Sequence, residues 1–254
     1  MSEITLFKGD CLIEMNKIVD KSVDMILCDL PYGTTACKWD SVIPFEPLWE
    51  QYNRVIKDNG AIVLFGSEPF SSALRMSNLK MYKYDWKWDK IEGSGFINAK
   101  IKPLNCYEDI MVFGKQKINY YPIMVDRLLK NERNRFNDNT NTFCNVYGVK
   151  KINISTVGKQ KYPINKIVFN RLSGDLNTHN ILHPTQKPVA ILEYLIKTYT
   201  LENETVLDNC MGSGSTGVAC INTNRNFIGI EKDDKYFEIA KNRIEKCQKS
   251  IFDL

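Results

Sequence analysis

Two short stretches hold residues whose types and spacing suit chemistry. Gly212, Gly214 and Gly217 satisfy G-x-G-x-x-G, where glycine lets the backbone turn tightly and approach a ligand with no Cβ in the way. Glu231 follows Gly212 by nineteen residues, and a carboxylate at the end of the next strand accepts ribose hydroxyl protons. This pair of features suits a nicotinamide dinucleotide and S-adenosylmethionine almost equally, because both present an adenosine ribose. The second stretch, Asp29-Leu30-Pro31-Tyr32, suits a planar base carrying an exocyclic amine. The Asp29 carboxylate accepts one amine hydrogen and the Leu30 carbonyl, fixed by Pro31, accepts the other. Tyr32 offers an aromatic face for stacking.

Each stretch needs a strand to deliver it and a helix to follow. Asp24 to Cys28 reads as a buried strand feeding Asp29, and Thr205 to Asp208 as the strand before the glycine turn. The turn opens a helix through about Asn222, Phe227 to Glu231 is the next strand, and Asp233 to Cys247 is a final amphipathic helix. Elsewhere Ile4 to Phe7, Ala61 to Phe65, Tyr82 to Trp88 and Ile110 to Phe113 read as strands. Pro44 to Lys57, Pro69 to Ser77 and Pro188 to Thr200 read as helices. The continuous apolar run at 61–65 is typical of a strand covered on both faces. Alternating strands and helices predict a doubly wound α/β sheet, whose ligands bind at the carboxyl ends of the strands. Trp86 and Trp88 alternate within a strand and are expected to pack in the core.

The rhythm breaks in the middle. Residues 115–180 lack periodicity and hold twelve Lys or Arg against four acids, a net +8 within a chain of net +4. The remainder is therefore about −4, and the positive charge sits in one insert. Such a run is either a solvated loop or a surface facing nucleic-acid phosphates, with Arg127, Arg133 and Arg135 among its contacts. The 254 residues, 43% of them hydrophobic, suit one α/β domain or one domain plus an insert and exclude disordered or collagen-like classes. No apolar run is long enough to span a membrane, and the first residues lack a signal-peptide pattern, so a cytoplasmic protein is expected. The eight cysteines include no C-x-x-C pair, and His179 and His183 stand without a cysteine pair. Free packing thiols and no metal are expected.

In combination, Asp29-Leu30-Pro31-Tyr32, then His183-Pro184-Thr185-Gln186-Lys187-Pro188, then Asp208-Asn209-Cys210-Met211-Gly212-Ser213-Gly214 closely resemble the β group of DNA amino-methyltransferases. That family uses S-adenosylmethionine to methylate adenine N6 or cytosine N4, and its catalytic motif precedes the cofactor glycines, a circular permutation of the usual methyltransferase order. The resemblance covers about 4–114 and 181–248 and fades through the middle, where such enzymes carry a variable recognition region. It implies a catalytic domain from 1–114 and 181–254 around a DNA target-recognition insert at 115–180. Asp29, Leu30, Pro31 and Tyr32 would form the catalytic loop. Asp208, Cys210, Gly212 and Gly214 would line the methionine end of the cofactor, Glu231 its ribose, and Asp10 its adenine. Thr185 and Lys187 would belong to the cofactor side as well. Leu30 stands where the family's first proline is usual, and Asn209-Cys210 where Pro-Phe is common.

The expected activity is methyl transfer from S-adenosylmethionine to adenine N6 in double-stranded DNA, by base flipping and direct displacement. Asp at position 29, rather than Ser, resembles the adenine enzymes more than the cytosine-N4 enzymes, which stay the alternative. Cytosine-C5 chemistry needs a cysteine, in its family one that follows proline, and no Pro-Cys pair occurs. Two other classes compete. A nicotinamide-dependent oxidoreductase leaves the Asp29 loop and the basic insert without a shared purpose. A non-catalytic DNA-binding protein leaves the glycine turn and Glu231 unexplained. A homodimer and a cognate restriction enzyme are further partners compatible with the resemblance.

Overall fold

The structure, a computed structural model, describes residues 2–34, 40–126, 160–170 and 186–252. Thr185, the two histidines, Cys37, Cys144 and the insert arginines Arg127, Arg133 and Arg135 lie outside the described residues.

Strand β1 (Ile4–Lys8) leads through Gly9-Asp10 into helix α1 (Cys11–Glu14), where the Asp10 carboxylate accepts from Leu12 N–H as an N-cap. Strand β2 (Val23–Cys28) is buried throughout. Helix α2 (Phe45–Val55) stops two residues before its expected end, because Ile56 is drawn into strand β3 (Ile56–Gly66) and pairs with Val23. Helix α3 (Phe70–Ser77) and the antiparallel strands β4 (Tyr82–Ser94) and β5 (Asn105–Phe113) follow. Strand β4 runs six residues beyond the expected Trp88 because its pairing with β5 continues along the hairpin to Ser94. Helix α4 (Val189–Tyr199), strand β9 (Thr205–Asp208), helix α5 (Ser215–Asn222), strand β10 (Asn226–Glu231) and helix α6 (Asp234–Phe252) complete the repeating pattern.

Between them lie short strands β6 (Val125–Asp126), β7 (Gln160–Lys161) and β8 (Lys166–Val168). Strand β8 pairs with β4 and buries Ile167, so the aperiodic text holds a strand of the main sheet. Three residues are too few to display a period. The chain divides into two compact units, one of 1–121 with 165–254 and one of 122–164. In the smaller unit, β6 and β7 pair antiparallel.

The main sheet has the order β1-β10-β9-β2-β3-β5-β4-β8. Its first five strands are parallel. Side chains alternate across them and make two cores. Met25, Leu27, Ala61, Val63 and Phe65 pack beneath α4, α5 and α6. Ile26, Cys28, Ile62 and Leu64 pack on the opposite face with residues of α1, α2 and α3. Trp86 and Trp88 are buried, as expected, and each satisfies its indole N–H: Trp86 donates to Tyr199 Oη at 2.6 Å and Trp88 to the Phe169 carbonyl at 2.9 Å. The fold is a doubly wound α/β sheet with an antiparallel extension.

Candidate active site

Parallel strands bring their carboxyl ends to one edge of the sheet, and the four candidate acids stand along it in strand order. Asp10 follows β1, Glu231 ends β10, Asp208 ends β9 and Asp29 follows β2. They open to one cavity of about 710 Å³, a size usual for small-molecule sites. Leu30, Pro31, Tyr32, Lys187, Cys210 and Gly212 also line it. Gly214 does not: it faces Ala240 and Ile244 of α6.

The glycine turn is shaped by backbone that L-residues adopt with strain. Gly212 has φ +51 and Gly214 φ +79, and a Cβ on Gly212 would meet nothing while one on Gly214 would press on Ala240 at 3.0 Å. The Glu231 carboxylate accepts from Gly212 N–H at 2.9 Å and from Asp233 N–H at 2.8 Å, fixing the turn to the end of β10. Burial raises its pKa, and those N–H groups oppose the rise. The carboxylate keeps lone pairs that a hydroxyl can meet. Asp10 meets Lys232 at 3.0 Å across the same rim. Asp208 is buried and accepts from Thr216 Oγ1 and from Cys210 N–H. Burial pushes its carboxyl up to about 6, because no ion pair among the described residues compensates the lost hydration.

The Asp29 loop is held at both ends. Asp40 accepts from Gly33 N–H at 2.8 Å and from Thr34 N–H at 2.9 Å, closing the turn after Tyr32. The Tyr32 ring stacks on Phe70, centroids 4.9 Å apart, and its hydroxyl reaches Asp29 Oδ1 at 2.7 Å and Glu108 Oε1 at 3.1 Å. Lys187 Nζ lies 2.5 Å from Asp29 Oδ2 and 2.9 Å from Glu108 Oε1. The structure therefore places Lys187 on the Asp29 carboxylate, within the same cavity that the glycine turn and Glu231 line. Burial pushes the Asp29 carboxyl up, with the Lys187 charge pulling against it. Burial alone would lower the Lys187 ammonium, but Asp29 and Glu108 outweigh it and hold it above its ordinary value.

Glu108, on β5, is the member of this cluster that sequence reasoning missed. It lies 76 residues from Tyr32 in the chain, and no local motif marks it. Its signal is weak: a charged residue inside the expected approach to an apolar strand. Cys28 ends β2 beside Asp29, but burial pushes its thiol up to about 12, so it carries no thiolate at neutral pH. Among the described residues no cluster of three or more His, Cys, Asp or Glu converges on a metal ion, and no helix is long and apolar enough to cross a membrane.

Comparison with known proteins gives the family and the fold. A family model described as DNA methylase matches residues 23–242. The DNA adenine methyltransferase YhdJ of Escherichia coli K12 is 29% identical over 95% of this chain and 82% of its own length. The type II methyltransferase M2.MboI of Moraxella bovis is 25% identical over 94% and 86%. The crystal structure of the M1.HpyAVI–SAM complex superposes with a TM-score of 0.61 at 26% identity, covering 95% of this chain and 98% of that one. The cytosine-N4-specific PvuII DNA methyltransferase, at 14% identity and TM-score 0.66 over 98% and 91%, shares the fold. With the matched region running from β2 into the first half of α6, the chain belongs to the DNA methylase family.

Proposed function

We propose that this protein transfers a methyl group from S-adenosylmethionine to adenine N6 in double-stranded DNA. The observation that carries the reading is one cavity shared by two neighbouring strand ends: the amine-holding loop after β2 and the glycine turn after β9. Asp at position 29, and the name of the adenine-specific relative, favour adenine over cytosine N4.

The residues present fit the cofactor. Gly212 leaves open space where a side chain would stand, and Glu231 has lone pairs for the ribose. Asp208, buried without an ion-pair partner among the described residues, suits the cationic methionine end. Asp10 completes the rim near the adenine. When bound, the cofactor supplies an electrophilic methyl group on a sulfonium. Asp29 and the Leu30 carbonyl orient the target amine so that its lone pair faces that methyl, and positioning supplies most of the rate. As the N–C bond forms and the C–S bond breaks, the amine becomes cationic. Asp29, already pushed up by burial, takes the surplus proton. Tyr32, braced by Phe70, presents a platform for the flipped base, and stacking of about 1–3 kcal/mol per base offsets the few kcal/mol of flipping.

The basic insert is read as the surface that meets DNA, and the appearance of the Asp29 loop before the glycine turn as the permuted motif order of the β group. The reaction uses DNA and a soluble cofactor, which suits the cytoplasm; a second copy and a cognate restriction enzyme are compatible partners. Calorimetry with S-adenosylmethionine and with NAD, together with a methyl-transfer assay on plasmid DNA, tests the reading. Binding of the first alone is expected. Asp29→Ala should lower transfer by about a hundred- to a thousandfold while cofactor affinity changes less than threefold, a loss typical of an interaction made at the reacting centre. Retained activity would remove Asp29 from the reaction.

A further inference from the structure

The Lys187 ammonium has three hydrogens. Two have acceptors, Asp29 Oδ2 and Glu108 Oε1, and the third has no hydrogen-bond acceptor among the described residues. The group lies against two rings, 5.1 Å from the Phe65 centroid and 5.9 Å from the Tyr32 centroid, and borders the cavity. It is held between two carboxylates, with its side chain only 10% exposed. Asp29 and Lys187 thus present, side by side, a hydrogen-bond acceptor and a donor to whatever enters beside Tyr32.

That order has a chemical meaning. Adenine and cytosine each carry an exocyclic amine next to an unprotonated ring nitrogen, a donor beside an acceptor. Thymine and guanine carry a carbonyl next to a ring N–H, the opposite order. An acceptor–donor pair on the protein matches the first edge and sets like against like on the second, which leaves buried polar groups unpaired.

We propose that Lys187 donates to the ring nitrogen beside the target amine, adenine N1, while Asp29 accepts from the amine, so that the pair reads the amine-bearing edge of the flipped base. Glu108 is the positioning residue that keeps the ammonium beside Asp29 after one of the Asp29 oxygens turns to the amine. This deepens the proposed function and rests on it. It also accounts for a lysine on the catalytic carboxylate, which methyl transfer itself does not require.

The test pairs enzyme and substrate changes. Once the methylated sequence is known, duplexes carry adenine or 1-deazaadenine, which lacks the N1 acceptor, at the target position. Wild type and Lys187→Met are compared on both, with cofactor affinity and thermal unfolding confirming that the variant is folded. The wild type should lose about 10- to 100-fold in kcat/KM on 1-deazaadenine, the range for a hydrogen bond to a charged donor. In Lys187→Met the same replacement should cost less than about threefold, because the donor is already absent. Lys187→Arg, which keeps a donor, should restore part of the sensitivity. Equal losses in wild type and Lys187→Met would overturn the proposal. Wild-type enzyme inactive on adenine duplexes would instead overturn the proposed adenine reaction. Glu108→Gln should lower kcat more than it raises KM; an unchanged kcat would remove Glu108 from its positioning role.

Discussion

On the proposed reading, Asp208 is the residue whose behaviour most clearly reports the cofactor. Its carboxyl, pushed up to about 6 by burial, is half protonated near that pH in the free protein. A cationic ligand prefers the ionised form, so binding below pH 6 must first expel a proton. Calorimetry from pH 5 to 8 should show cofactor affinity nearly flat above pH 7 and falling toward tenfold per pH unit below 6. Asp208→Asn should bind more weakly at pH 8 and lose that step. The sign for stability follows the same shift: the folded state holds this proton more tightly than the unfolded chain. Stability from Asp208 is therefore greatest below the ordinary value of 3.8 and falls by about 3 kcal/mol as pH rises toward 6. At this scale, motif residues were legible in the sequence because each acts through its neighbours in the chain. Lys187 was legible as a site residue but not as the partner of Asp29, 158 residues away. Glu108 was silent for the same reason, since only the sheet brings it to Tyr32.

At the scale of elements, the glycine turn separates two duties that G-x-G-x-x-G merges. A methyl on Gly214 would press on α6 at Ala240, whereas one on Gly212 would meet only the open cavity. Gly214→Ala is thus expected to lower unfolding stability by about 1–2 kcal/mol, from left-handed strain plus the close approach to α6. Gly212→Ala should cost about 1 kcal/mol from strain alone but weaken cofactor binding by more than tenfold. Denaturant titration and calorimetry on the two variants check the split; equal effects on both measurements would contradict it. Most strands and helices were readable because the central strands show as short continuous apolar runs and the helices as longer amphipathic stretches. The misplaced boundaries have tertiary causes: Ile56 leaves its helix to pair with Val23, and β4 lengthens along β5. Strand β8 was unreadable because its place depends on β4 rather than on its own three residues.

For the molecule as a whole, charge and catalysis divide by sequence. The flanks carry the acids of the cavity, and 115–180 carries the net +8. If the insert meets phosphates, DNA affinity must depend on salt with a slope set by the number of phosphates neutralised. Replacing Arg133, Arg135, Lys150 and Lys151 by Gln should make the plot of log K against log salt shallower by about 0.9 for each phosphate no longer neutralised, with cofactor affinity unchanged. An unaltered slope would move DNA binding to another surface. Adenine methylation in DNA is read out by methylation-aware sequencing of DNA from cells expressing the chain and from cells expressing Asp29→Ala. N6-methyladenine is expected in one sequence context with the wild type and none there with the variant. No new methylated adenine under active expression of the wild type, or the same methylation from Asp29→Ala, would contradict the proposed reaction.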